Sequence, residues 1–282
     1  MGSYKGSRGH RALFVKYFWF CLLLAGTTWC HGQEGWRSRL TPAQGPFPMA
    51  PPFQGEFRFG WSNIAAARAR ANFTQEDDRL QMKVAGGTFG AVRLLWQLDA
   101  TYESTILTEE LRTDWFFQIE HYASRTIFTQ AIYQNDGLWR QRDVVPDPKG
   151  PAKWKRIKVG PSRGLVATML FIRSQALEPN DRVAVIAFPG DDSYLVDVRV
   201  AGRELLSVAG KSYPAIKLDF EIQKIVRDKV SKVSDLEPHK KFRSGRVWIS
   251  DDATRMALRI EVNIFIGYVF GELVNLKTSV AR

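Results

Sequence analysis

Apolar and polar positions alternate along most of this chain. Phe57, Phe59 and Trp61 alternate with Arg58, Gly60 and Ser62. A period of two is what a strand shows when one face is buried and the other is wet, so a strand is expected over Glu56–Ile64. Ala65–Phe73 repeats the pattern, with Ala67, Ala69, Ala71 and Phe73 set against Arg68, Arg70 and Asn72. The same reading predicts strands over Arg79–Val84, Thr101–Leu107, Trp115–Ala123 and Arg125–Tyr133. A turn is expected at Asn135-Asp136-Gly137, because Asp-Gly suits tight hairpins. In the second half it predicts Asp181–Phe188, Tyr194–Val200, Arg203–Val208, Ala215–Ile225, Gly245–Ser250 and Met256–Phe265. Turns are expected at Pro189–Asp192, Ala201-Gly202 and Ser250–Asp252. Only Phe89–Leu98 and Gly164–Ala176 place apolar residues three and four apart, and both are expected to be helical. The fold class that follows is α+β but mainly β: a large curved antiparallel sheet or partial barrel, with a few helices on its concave side.

The N-terminus departs from this pattern. Lys5, Arg8, Arg11 and Lys16 precede an apolar run from Tyr17 to Gly26, with no acid before Glu34. A basic stretch followed by a short apolar one has the layout of a secretory signal peptide, and the run is about half the length needed to cross a bilayer. An export signal is expected over residues 1–32, with an uncleaved anchor as the other reading. Residues 33–54, rich in Pro, are expected to form an extended leader. Residues 55–276 form a single β-rich domain and 277–282 a tail.

Removing the signal changes the composition. The net charge of +11 loses four cations and no acids, leaving +7, and Cys21 and Cys30 depart together. The remainder has no thiol, so it offers no disulfide and no thiolate metal site. His121 and His239 are too few for a His-rich metal site, so no metal and no cofactor is expected. The charge that remains is concentrated in two stretches. Residues 146–163 carry six cations and one acid, and residues 224–246 carry eight cations and three acids. They read either as solvated loops or as a surface for anionic membrane; nucleic acid is not implied.

Catalytic motifs are sparse. Gly160-Pro161-Ser162-Arg163-Gly164 matches the Gly-x-Ser-x-Gly of a hydrolase elbow, which needs a buried strand before it and a base in reach. The basic Trp154–Lys158 stretch is a poor buried strand, and Pro161 sits badly just before a nucleophile. Gly210-Lys211-Ser212 lacks the earlier glycine of a phosphate loop, since position 205 is Leu. The acidic pairs Asp77/Asp78, Glu109/Glu110, Asp191/Asp192 and Asp251/Asp252 fall at expected turns, where such side chains bond to their own backbone.

Near the C-terminus, Trp248-Ile249-Ser250-Asp251-Asp252 is followed by Arg255, Leu258–Glu261, Ile266-Gly267 and Leu273. This is expected to form a hairpin in which Arg255 and Arg259 reach back to the two carboxylates. The pattern resembles the C-terminal signature of the bacterial family catalogued as domain of unknown function 3108. Phe57–Gly60 with Ala65–Ala69, Leu170–Arg173, and Gly202–Ile225 with its turn at Gly210–Pro214 fit that resemblance over about residues 55–276. Ala257 stands where the pattern has Pro. The resemblance implies a protein exported to the periplasm or outer envelope, usually of Gram-negative bacteria. It also implies a curved sheet wrapped around helices, similar to periplasmic lipoprotein carriers. It implies no activity and no catalytic residue.

On that footing the expected function is non-catalytic binding or carriage of a hydrophobic ligand such as lipid or an acyl chain. Phe57, Phe59, Trp61, Trp115, Phe117 and Phe128 are the candidate cavity lining. The alternatives are an envelope hydrolase using Ser162, or a structural protein that binds partners without a ligand.

Overall fold

The computed structural model describes residues 35–62, 64–146, 150, 152–158, 160–227, 234–239, 242, 244–264 and 266–278. The expected export signal and residues 279–282 lie outside the described residues. Two compact units are distinguished. The smaller comprises Met1–Arg39 and Arg227–Asp235. Within it the Trp36 indole donates to the Ser234 carbonyl at 3.2 Å, and the Arg37 guanidinium lies 4.7 Å over the Trp36 ring.

The larger unit, Leu40–Val226 with Leu236–Arg282, is built on a fifteen-stranded antiparallel sheet that does not close. The first eight strands form a meander: β1 (Phe53–Trp61), β2 (Ile64–Glu76), β3 (Arg79–Thr88), β4 (Leu98–Leu107), β5 (Arg112–Tyr122), β6 (Thr126–Gln134), β7 (Gly137–Val145) and β8 (Lys155–Ile157). The rest are β9 (Arg182–Ala187), β10 (Tyr194–Val208), β11 (Lys211–Arg227), β12 (Ser234–Pro238), β13 (Ser244–Ser250), β14 (Ala257–Asn263) and β15 (Tyr268–Thr278). The order runs from β8 back to β1, then β15, β14, β13, β11, β10 and β9, with β12 off this path beside β11. Two helices complete the described residues: α1 (Gly90–Leu95) and α2 (Leu165–Ser174).

Several expected elements are corrected. The chain reverses at Ser62, so Glu56–Ile64 is the end of one strand and the start of the next. Ser62 has a positive φ of 51°, and its N–H donates to the Tyr268 carbonyl at 2.7 Å. Ala201-Gly202 is a bulge inside one continuous strand, β10, rather than a turn. The register against β11 slips by one residue there, and Gly202 supplies the φ of 145° that the bulge needs. The Pro-rich stretch from Thr41 to Ala50 is irregular but tied down. Thr41 and Ala184 exchange hydrogen bonds, and Gly45 and Phe47 donate to Ser174. β1 begins at Phe53, and β15 runs to Thr278.

The core lies on one face of the sheet. Ile106 of β4, Phe73 of β2, Leu273 of β15, Ile249 of β13, Ile216 of β11 and Val198 of β10 share one buried cluster, so the sheet curves around that face. Ala167, Leu170 and Phe171 of α2 fill the middle of the same cluster. Apolar burial at about 25 cal/mol per Å2 makes this packing the main stabilising term. α1 buries none of its residues, so only one of the two helices packs inside the curve. The open edge of β9 is covered by the segment leading into α2. Arg163 N–H donates to Ile186 O, and Phe188 N–H donates to Arg163 O. The Arg163 guanidinium crosses to the β4–β5 turn, donating to Leu111 O at 3.1 Å and Glu110 O at 3.2 Å; burial pushes its pKa down to about 10.

Candidate functional site

The concave face changes character along the strands. Toward the end where β1, β3 and β14 begin and β2, β4 and β13 finish, apolar side chains are almost wholly buried. Toward the other end they stay half-open. Phe57, Val247 and Val262 pack against the core cluster only in part. Phe59, two residues beyond Phe57, and Ile260, level with Val247, share that face, each 36% exposed, and paired Trp61 and Val269 follow at the rim beside Val262. Gly271 makes room for this arrangement: a Cβ there would lie 2.7 Å from the Phe59 ring and 3.2 Å from Ile260 Cγ2. The Trp61 indole donates to Ile266 O at 2.7 Å, which fixes the ring at the mouth. Ala67 and Ala69 on β2, Gly86 on β3 and Ala100 on β4 continue the same face beside Phe57 and Phe59 with little side-chain bulk. This half-exposed apolar strip, continuous with the core cluster that α2 helps to fill, is the trough of the concave face.

Of the six aromatics expected together, the structure brings three to this face. Trp115, Phe117 and Phe128 belong to the opposite one. Phe116, Ala131 and Tyr133 occupy the buried positions of β5 and β6, so their neighbours in sequence turn outward. Trp115 pairs with Ile132, and Ile132 with Trp139, in an outer row. Alternation reveals that a strand has two faces, and it does not say which one is inside.

The signature residues form a hairpin, but its chemistry differs from the expectation. Asp252 Oδ1 accepts from Ser250 Oγ at 2.8 Å, Thr254 N–H at 2.8 Å, Thr254 Oγ1 at 2.6 Å and Arg255 N–H at 3.1 Å. Burial opposes its charge, yet those donors outweigh burial and hold the Asp252 pKa below its ordinary value. Asp251 pairs with Arg203 at 3.0 Å. The Arg255 guanidinium turns away from both carboxylates, to the C-terminus of α2. There it donates to the carbonyls of Arg173, Gln175 and Ala176 and stacks 3.4 Å from the Phe47 ring. Arg259 reaches Glu261 at 2.8 Å and Glu272 at 2.9 Å. Trp248 donates its indole N–H to Glu204 at 2.6 Å, which lowers the Glu204 pKa. The signature therefore locks α2 to the sheet.

Ser162 is 1% exposed, and its Oγ has no hydrogen-bond partner among the described residues. Neither imidazole is placed to activate it: His121 bonds Thr126, and His239 accepts from Phe242 N–H. A buried hydroxyl without a partner costs about 1–3 kcal/mol, so Ser162→Ala is expected to leave stability unchanged or raise it by about 1 kcal/mol in urea unfolding. A marked loss of stability would show that the hydroxyl has a partner after all. The acidic pairs sit in turns between strands, where Asp191 Oδ1 accepts from the Asp192 N–H and the Asp78 carbonyl accepts from the Thr108 N–H. On the outer face an open groove of about 680 Å3 is lined by Glu56, Arg70, Lys83, Glu103 and Lys277 among others. Arg70 pairs with Glu56 and Lys83 with Glu103, so ion pairs flank this groove, while Ala71, Val84 and Ala85 add apolar lining.

A family model described as "Protein of unknown function (DUF3108)" matches residues 56–274. The chain belongs to that family. No curated protein matches the sequence. Among solved structures, a β-barrel-like protein of DUF1849 from Brucella abortus aligns over 83% of this DUF3108 chain and all of its own, at 10% identity and a TM-score of 0.52. That likeness establishes the barrel-like fold. A candidate exported protein with a YmcC-like fold from Bacteroides fragilis is 9% identical with a TM-score of 0.36, and covers 84% of this chain and all of its own. A candidate lipoprotein from Parabacteroides distasonis is 7% identical with a TM-score of 0.31, over 84% of this chain and all of its own.

Proposed function

We propose that this DUF3108 chain is an exported, non-catalytic envelope protein that binds a hydrophobic ligand of the acyl-chain class in the trough of the concave face. The observation that carries this reading is the half-open row of Phe59, Trp61, Ile260 and Val269 on the same face as the closed core. Apolar side chains left in water on a concave surface favour an apolar guest, at about 0.8 kcal/mol per buried CH2. The basic n-region and short apolar run at the N-terminus support export. The partnerless Ser162 Oγ supports a non-catalytic reading.

Protein expressed from its full-length sequence is expected to carry lipid that mass spectrometry of the gently purified sample detects. Ile260→Asp puts a charge in the trough at a half-exposed position. It is expected to weaken binding of a fluorescent fatty acid roughly tenfold with little change in unfolding temperature. Absence of lipid from the native sample together with no fatty-acid binding by the unaltered protein would overturn the reading.

A further inference from the structure

The apolar mouth of the trough is not the only apolar feature at that end of the sheet. β1 ends there at Trp61, β3 at Thr88 and β7 at Val145, while β2, β4, β13 and β15 begin there. The antiparallel meander therefore brings several connections to one end. Leu94 is 88% exposed and Leu95 91% exposed, at the end of α1, with Trp96 next to them. Ile64 and Ile266, on the two neighbouring hairpins, are also exposed.

The α1 tip is firmly held. The Thr88 hydroxyl donates to Trp96 O at 2.9 Å and accepts from Leu98 N–H at 3.1 Å. Arg93 makes a two-pronged pair with Asp99 at 2.7 and 2.8 Å and donates to Thr88 O. Two adjacent leucines are thus presented to solvent on a fixed projection, and neither is part of the core.

The charges around this end are unevenly used. Its acids are engaged: Asp99 by Arg93, Asp143 by the Ala152 N–H, Asp192 by Lys224. Arg125, Arg142 and Lys153 are exposed there and make no ion pair among the described residues. An exposed apolar tip and exposed cations at one end of the sheet, with Trp61 and Trp96 at the same end, match the boundary of an anionic bilayer: acyl chains within, negative headgroups at the level of the cations, and indoles at the interface. A projection this exposed offers no concavity to a protein partner's side chains.

We propose that this end of the protein docks on an anionic lipid surface by inserting Leu94 and Leu95. The inference stands on the tip and its cations and does not depend on a ligand in the trough. Flotation of the protein, expressed from its full-length sequence, tests it with vesicles of phosphatidylcholine alone and with phosphatidylglycerol added. The protein is expected to float with the anionic vesicles and to bind the neutral ones less, and added salt should weaken the association. The double variant Leu94→Asp, Leu95→Asp is expected to bind anionic vesicles at least about tenfold more weakly, because two apolar side chains no longer enter the bilayer. Its unfolding temperature should be unchanged, since neither side chain is buried, and so should its fatty-acid binding. Ile260→Asp should float normally, which separates docking from ligand binding. Failure of the unaltered protein to float with anionic vesicles, or undiminished flotation of the double variant, would overturn the proposal.

Discussion

Arg255→Ala is expected to lower stability by about 3–4 kcal/mol and the unfolding temperature by roughly 6–15 °C, read by circular dichroism. The last carbonyls of a helix have no partner within it, and α2 ends inside the protein. Arg255 satisfies three carbonyls there, those of Arg173, Gln175 and Ala176. Truncation removes the donors, leaves the buried Arg173 carbonyl dry and those of Gln175 and Ala176 only partly reached by water, and strips a stacking partner from Phe47. Arg255→Lys should recover little of the loss, because one ammonium cannot reproduce the guanidinium fork across three carbonyls. Asp252 sets the turn from which Arg255 projects. Its folded pKa is depressed, so its contribution is present above the unfolded value of about 3.9 and is lost as pH falls below it. The unaltered hairpin turn should accordingly loosen on the acid side, and Asp252→Asn should remove that part of the pH dependence. A shift of less than about 2 °C in Arg255→Ala would mean that α2 does not need this clamp.

Much of the sheet was legible because half-buried antiparallel strands write their burial into a period of two. What escaped had physical causes. Leu138–Val145 of β7 is crowded with Arg140, Arg142 and Asp143, so its pattern reads as polar. Tyr268–Thr278 of β15 has apolar or buried side chains on both faces: Leu273 enters the core, while Phe270 and Glu272 are buried on the other side. Such a strand does not alternate. The first hairpin was expected with its break after Ile64 rather than at Ser62, because β1 and β2 carry the same alternation and only the φ of Ser62 marks the turn. At the candidate site, periodicity grouped Trp115, Phe117 and Phe128 with Phe57, Phe59 and Trp61, since every strand shows two faces and none labels the inner one. For Arg255, proximity in sequence suggested Asp251 and Asp252, but local N–H groups and Arg203 take those oxygens first. The guanidinium then finds carbonyls about eighty residues away in sequence. The exposed Leu94 and Leu95 were inside an expected helix, where leucine ordinarily means core; only the missing partner face gave them a different meaning.

Glu272 supplies the second large expected effect. It sits on β15 with its side chain 5% exposed, bridging Arg58 of β1 and Arg259 of β14. The three residues face one another across adjacent strands, Arg58 opposite Glu272 and Glu272 opposite Arg259. Arg259 also lies 5.4 Å over the buried Phe270 ring, so the ion cluster roofs an apolar patch on the outside of the sheet. Removing one member of a buried pair leaves the other uncompensated, which costs about 3–5 kcal/mol where water cannot enter. The cost should follow how much water each survivor can reach. Glu272→Ala leaves two cations side by side, one of them mostly buried, and is expected to cost about 3 kcal/mol in urea unfolding. Arg259→Ala leaves Glu272 with Arg58 alone and uncovers Phe270, at about 2 kcal/mol. Arg58 is 43% exposed, so water can take its place, and Arg58→Ala should cost about 1 kcal/mol. A double-mutant cycle between Glu272 and Arg259 should then show coupling of about 1–2 kcal/mol. Equal losses for all three single variants, or no coupling in the cycle, would mean that these side chains act separately and that the outer patch over Phe270 is held by backbone pairing alone.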